Sequence, residues 1–159
     1  AQLFAGTIRD NLMFGCPDAT EEQIEEALVI SQAKEFVDTK EGRLDAVVEQ
    51  GGKNLSGGQR QRLTLARALV PQSDILIMDD SASALDYATD AKLRKAIQNM
   101  KRKPTVFIVS QRTSSIQDAD SILVLDDGKI AGKGTHEELI ASCDIYREIY
   151  ETQFKKEEA

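Results

Sequence analysis

The chain has 159 residues, 41% hydrophobic and 30% charged, which at roughly 100–200 residues per domain argues against a second independent core. No apolar run approaches the roughly 20 residues that span a bilayer. The 20 Lys+Arg against 27 Asp+Glu leave a net charge of −7, which argues against nucleic acid or an anionic lipid surface as the main partner. Cys16 and Cys143 lie far apart with no CxxC, and the single histidine is His136, so no zinc site or disulfide framework is legible. Free thiols suit a reducing compartment. The opening Ala1-Gln2-Leu3-Phe4 has no initiator Met, basic segment or long apolar run, and reads as the interior of a longer protein.

Ile8, Leu12 and Met13 are spaced as a short helix that ends in the breaker cluster Phe14-Gly15-Cys16-Pro17-Asp18. Thr20-x-x-Gln23 has capping-box spacing and opens a firmer helix carrying Ile24, Ala27 and Leu28 behind an acidic first turn. A short helix follows at Phe36 and Val37. Glu41 to Asn54 reads as loop with one extended piece at Ala46-Val47-Val48. Ser56-x-x-Gln59 is a second capping box, and the helix behind it carries Leu63, Ala66, Leu69 and Val70 and stops at Pro71.

Beyond Val70 the rhythm changes. Ile75-Leu76-Ile77-Met78 and Val106-Phe107-Ile108-Val109 are apolar strand runs separated by an amphipathic helix from about Ala88 to Met100, the pattern of one βαβ unit. Ile122 to Leu125, then Asp126-Asp127-Gly128, then Lys129-Ile130-Ala131 reads as a strand pair closed by an Asp-Gly turn. Thr135-x-x-Glu138 caps a further helix. Ile145 to Phe154 forms the last, before a charged tail at Lys155 to Glu158. The fold class expected is α/β, a mostly parallel sheet with flanking helices beside an all-helical subdomain.

The chemistry concentrates in four stretches. In Leu55-Ser56-Gly57-Gly58-Gln59, Ser56 caps a helix while Gly57 and Gly58 present backbone N–H groups at its positive end, where a phosphate would bind. Ser-Gly-Gly alone is equally compatible with a glycine-rich loop before an ordinary helix; Arg60-Gln61-Arg62 behind it makes the motif more specific. Asp74-Ile75-Leu76-Ile77-Met78-Asp79-Asp80 delivers two acids at the end of a buried strand, where α/β sheets bind ligands and an acid holds Mg²⁺ through water. A plain turn is the alternative for those acids. Ser83-Ala84-Leu85-Asp86 follows closely, and Ser110-Gln111-Arg112 ends the next strand run.

In this order the four stretches resemble the nucleotide-binding domain of an ATP-binding cassette (ABC) transporter. Leu55, Ser56, Gly57, Gly58 and Gln59 look like its signature motif, Ile75 to Asp79 like Walker B, Ser83 to Asp86 like the D-loop, and Ser110-Gln111-Arg112 like the switch region. The resemblance covers essentially the whole chain. Leu3 to Ile8 and Gly134 to Leu139 are similar to segments of the exporter branch. It implies a helical subdomain over 1–70 and, over 71–159, the later strands of a partial P-loop NTPase core. The implied cofactors are ATP and Mg²⁺. Leu55 to Gln59, Ser83 and Asp86 would meet nucleotide, with Asp86 coupling two sites across a dimer. Asp79 would hold the metal through water, and Asp80 and Gln111 would face the attacking water and γ-phosphate. The implied partners are a second nucleotide-binding domain and transmembrane domains, at the cytoplasmic face of a membrane, with no nucleic acid.

Absences and departures complete the reading. A Walker A loop needs G-x-x-x-x-G-K-[ST], and Gly51-Gly52-Lys53-Asn54 has Val47 and Asn54 at its defining positions, so it is no P-loop. Gln2 stands too close to Leu3-Phe4 to be the family's Q-loop glutamine. The family usually has Glu where this chain has Asp80, one methylene shorter, and a misplacement of about 1 Å costs on the order of 100-fold in rate. Gln111 replaces the switch histidine and cannot become cationic. Both departures match the degenerate half of a heterodimeric exporter, with Ser56 to Gln59 completing the partner's site. The chain alone is expected to lack ATPase activity. Two alternatives stand beside this reading: a non-hydrolysing regulatory nucleotide-binding module, and a soluble ABC ATPase of DNA repair or translation. Glu49 reads as either a transmembrane-domain contact or a solvated acid, and His136 as structural.

Overall fold

The computed structural model describes residues 2–81 and 83–154. They fall into two compact units that divide between Val109 and Ser110. The tail at Lys155 to Glu158 lies outside the described residues.

In the first unit, β1 (Gly6–Thr7) leads directly into α1 (Ile8–Met13). Thr7 and Asp10 make a capping box there, a Thr-x-x-Asp signal that the sequence reading passed over. α2 (Glu21–Ile30) starts at the expected box, in which Thr20 Oγ1 accepts from the Gln23 N–H and Gln23 Oε1 accepts from the Thr20 N–H. α3 (Lys34–Asp38) is a single turn burying Phe36 and Val37. The expected extended piece is β2 (Val47–Val48), which pairs antiparallel with β1, Gly6 opposite Val48. α4 (Gly57–Leu69) ends just before Pro71, which cannot continue a helix.

Ile8, Leu12, Ile24, Leu28 and Leu63 are fully buried where α1 and α2 pack on α4. Each such side chain stabilises the fold by about 1.5–3 kcal/mol through water release. Asn11 is buried with them and satisfied: its Oδ1 accepts from the Phe4 N–H, and its Nδ2 donates to the carbonyls of Phe4 and Thr7. It pins the incoming chain across the first turn of α1.

β3 (Ile75–Asp79) and β4 (Thr105–Val109) pair in parallel, Ile75 with Thr105 through Asp79 with Val109, and α5 (Tyr87–Gln98) is the crossover between them. Leu76 and Met78 point into the core that also holds Leu93 and Ile97 of α5. Ile75, Ile77, Phe107 and Val109 face the other way and are exposed.

In the second unit, β5 (Ile122–Asp126) and β6 (Lys129–Gly134) form the expected antiparallel pair. The turn is Asp127-Gly128, both with positive φ as a type I′ turn requires. β6 runs three residues beyond the expected strand end, with an irregularity at Val124/Leu125. α6 (His136–Ser142) carries the Thr135/Glu138 capping box, and α7 (Asp144–Phe154) follows. Ile122, Val124, Leu139, Cys143 and Tyr146 make the core of this unit. Among the described residues no helix is long and apolar enough to cross a membrane.

The fold is thus α/β, with one parallel and two antiparallel two-stranded ladders among the described residues.

Candidate functional site

The first unit gathers three of the four chemistry-bearing stretches. Ser56 is the N-cap of α4: its Oγ accepts from the Gln59 N–H at 3.2 Å, and its own N–H donates to Gln59 Oε1 at 3.0 Å. That box leaves Gly57 and Gly58 as the first two helical residues, at the positive end of a 13-residue helix. Leu55 is buried, and its carbonyl accepts from Arg60 Nη1 at 2.6 Å, which ties the approach loop to the helix it enters. Arg62 donates to the Gln32 carbonyl at 2.9 Å and lies 5.0 Å from the Phe36 ring centroid, joining α4 to the α2–α3 connection.

The Ser83–Asp86 segment packs against the same helix end. A Cβ placed on Gly57 would sit 3.7 Å from Ala84 Cβ, and one on Gly58 would sit 3.4 Å from the Ala84 carbonyl oxygen. Gln61 reaches across: its Oε1 accepts from the Ala84 N–H at 2.8 Å, and its Nε2 donates to the Asp80 carbonyl at 3.0 Å. Asp86 is the N-cap of α5, its Oδ1 accepting from the Thr89 N–H at 2.9 Å and its Oδ2 from Thr89 Oγ1 at 2.8 Å. Those two bonds hold its carboxyl below the usual carboxylate range.

Asp79 ends β3, and its carboxylate is exposed. Asp80, next in line, has φ +47°, a left-handed conformation uncommon for a non-glycine residue. Its N–H donates to the Val109 carbonyl at 3.0 Å, so the turn is anchored on β4. Among the described residues no cluster of three or more His, Cys, Asp or Glu could cage a metal. An exposed carboxylate at a strand end, such as that of Asp79, is of a kind that fits Mg²⁺ held through water with phosphates supplying the other ligands.

Gln111 belongs to the second unit. Its side chain is exposed, and its carbonyl accepts from Gln153 Nε2 at 2.6 Å. Gln153 Oε1 in turn accepts from the N–H and hydroxyl of Thr113, so α7 holds the Gln111 segment by one amide. His136 Nδ1 lies 2.9 Å from the Tyr146 hydroxyl and its ring 5.0 Å from that of Tyr150, a packing role. Burial raises the Tyr146 phenol above its ordinary value. Glu49 is exposed, its N–H donating to Asn54 Oδ1 at 3.1 Å.

The ABC transporter family profile matches residues 2–83 of this chain. The chain belongs to the ABC transporter family. An uncharacterized ABC transporter ATP-binding protein of Mycobacterium tuberculosis is 46% identical over 154 residues, covering 95% of this chain and 26% of that protein. An ATP-dependent lipid A-core flippase of Shewanella frigidimarina is 41% identical over 97% of the chain and 26% of its own length. A beta-(1→2)glucan export ATP-binding/permease protein of Rhodopseudomonas palustris is 42% identical over 100% of the chain, again 26% of its own length. The solved structure of a bacterial Atm1-family ABC exporter with ATP bound superposes with a TM-score of 0.92 at 32% identity, covering 96% of this chain and 27% of that one. The chain therefore spans about a quarter of the length of the curated relatives it matches.

Within the ABC fold, Arg60, Gln61 and Arg62 are more than context for the motif, for each bonds a different segment: Leu55, Ala84 with Asp80, and Gln32. The available signal was three long polar side chains in a row on a helix whose other face is apolar. Such a row must find partners on whatever packs beside the helix.

Proposed function

We propose that the chain is the signature-bearing part of an ABC exporter's ATP-binding domain, coupling ATP binding and hydrolysis to transport across a membrane. Residues 1–70 serve as the helical subdomain and residues 71–159 as the later part of the P-loop core. The observation that carries the reading is the packing of Gly57 and Gly58, at the N-terminus of α4, against Ala84. It sets an anion-attracting helix end beside a loop that starts from two strand-end acids. In the whole transporter, Leu55 to Gln59 of this chain meet the ATP held by a second nucleotide-binding domain, Ser83 and Asp86 lie at that interface, and transmembrane domains take up the motion. The domain works at the cytoplasmic face of the membrane and has no nucleic-acid partner.

ATP brings its own phosphates and Mg²⁺ to the site. Asp79 would hold the metal through water and Asp80 would face the attacking water, while Gln111 would offer the γ-phosphate a neutral hydrogen-bond donor. Asp80 is one methylene short of the family's usual Glu, and Gln111 stays neutral, so hydrolysis at this subunit's own site is slow. The subunit is then the degenerate half of a heterodimer, and its intact signature serves the competent site. The chain by itself does not turn over ATP.

The experiment is site-resolved single-turnover hydrolysis in the full transporter carrying Asp80→Glu with Gln111→His. The expected result is a gain of about tenfold or more at this subunit's own site. An unchanged rate there rejects the degenerate-site reading.

A further inference from the structure

Gln61 bonds two segments that the motif reading treats as separate. Its Oε1 accepts from the Ala84 N–H, and its Nε2 donates to the Asp80 carbonyl with Ser83 Oγ 3.4 Å away. The Asp80 carbonyl also accepts from Ser83 Oγ at 3.0 Å and the Ser83 N–H at 3.3 Å, while the Asp80 N–H is held by Val109. Asp80 is thus fixed through both its peptide groups in a φ of +47°, a conformation that persists in a non-glycine residue only when its surroundings impose it. The direction of a side chain follows from its backbone. Whatever holds Asp80 left-handed therefore aims its carboxylate.

Ala84, the other partner of Gln61, is the residue packed on Gly57 and Gly58. One amide on the second turn of α4 therefore joins the acid after β3 to the glycines of the helix start.

We propose that Gln61 is a positioning residue for the ATP chemistry, holding Asp80 in its left-handed conformation and in register with the N-terminus of α4. The proposal rests on the reading of Asp80 and α4 given above. Gln61 touches no reacting atom; it acts through the Asp80 carbonyl and the Ala84 N–H. The two contacts separate chemically. Gln61→Glu keeps an acceptor for Ala84 but sets a carboxylate oxygen, with no donor, against the Asp80 carbonyl. Gln61→Leu removes both bonds at similar volume.

The test is site-resolved single-turnover MgATP hydrolysis at this subunit's own site in the full-length transporter, with MgATP affinity at that site, comparing the unaltered protein, Asp80→Glu, Gln61→Leu and the double variant, with Gln61→Glu as a further arm. Gln61→Leu is expected to lower the single-turnover rate there about tenfold or more while MgATP affinity at that site stays within about twofold, the signature of an interaction used in the transition state. It is also expected to cancel the gain from Asp80→Glu, and Gln61→Glu to behave like Gln61→Leu. A gain from Asp80→Glu that is the same with and without Gln61 overturns the proposal and leaves the reading of Asp80 standing. Should Asp80→Glu gain nothing beside an intact Gln61, the reading of Asp80 fails. The proposal is then decided by Gln61→Leu alone, a lower single-turnover rate at constant MgATP affinity supporting it and an unchanged rate overturning it. A slower rate with weaker MgATP binding and a lowered melting temperature in both Gln61 variants overturns it in favour of a purely structural role.

Discussion

Ser56 and Gln59 satisfy each other's backbone, the Ser56 hydroxyl accepting from the Gln59 N–H and the Gln59 carbonyl oxygen of the side chain accepting from the Ser56 N–H. The hydroxyl read as a nucleotide contact is therefore also a helix cap. The two roles come apart by substitution. Ser56→Ala is expected to destabilise the 159-residue chain by about 1 kcal/mol, read as a lower melting temperature, and to slow ATP-driven turnover in the full transporter. Ser56→Asp caps as well as serine does, so it restores the melting temperature but not the turnover. Recovery of both by Asp would leave Ser56 with a capping role only.

Four charges close a ring around α2, α3 and the turn after it. Glu25 meets Lys34 at 2.9 Å and Arg43 at 2.6 Å, and Asp38 meets Lys34 at 3.0 Å and Arg43 at 2.6 Å. Hydrogen bonds from Lys34, and then from Arg43, lower Glu25 below its ordinary 4.5; those from Arg43, and then Lys34, lower Asp38 below 3.8. Because both folded values are depressed, their stabilisation is fully present above the ordinary values and is lost as pH falls through the folded ones. Urea unfolding between about pH 6 and about pH 3 is expected to show stability declining below about pH 4.5. Glu25→Gln with Asp38→Asn should make that decline shallower, the part set by the lowered carboxyls of Asp10, Asp86 and Glu137 remaining, and an unchanged slope would place the acid sensitivity elsewhere.

Gly132 of β6 faces α6 with no room for a side chain: an added Cβ would lie 2.9 Å from Leu139 Cδ2 and 3.0 Å from Cys143 Sγ. Both neighbours are buried, so neither swings aside. Gly132→Ala is expected to cost about 1–3 kcal/mol through overpacking. Gly15 has nothing within 4 Å of the same atom, and Gly15→Ala is expected to be tolerated. Melting temperatures of the two variants check the contrast.

The β3–β4 pair turns Ile75, Ile77, Phe107 and Val109 outward, at 55–68% exposure. Parallel strands are ordinarily covered on both faces. The chain on its own is expected to self-associate through this surface, with sedimentation showing a concentration-dependent shift that Ile77→Lys with Phe107→Lys removes. A shift that survives both lysines would place the contact elsewhere.

What the sequence made legible was local. The boxes at Thr20, Ser56 and Thr135 are signals three residues long, and Asp127-Gly128 declares its turn because few residues accept positive φ. β3 and β4 were readable because their apolar runs of four stand between turn residues. The partners at long range were not. Nothing in a linear reading pairs Gly6 with Val48, or the Gln61 side chain with a backbone N–H at Ala84. The left-handed backbone of Asp80 is also invisible in sequence: no glycine follows it to mark a tight turn, as Gly128 follows Asp127, and the groups that bond its peptides, Gln61 and Val109, lie far along the chain.

On the proposed reading the strand-end acids of this chain serve its own ATP site and its signature helix serves the partner's, while no phosphate-cradling loop lies in its sequence. Calorimetry of MgATP against the 159-residue chain, beside the full-length transporter, decides between that arrangement and a complete site. Binding to the full transporter with none to the chain alone is the predicted result. Tight binding to the chain alone would contradict it and would require the roles of Gly57, Gly58 and Asp79 to be reassigned.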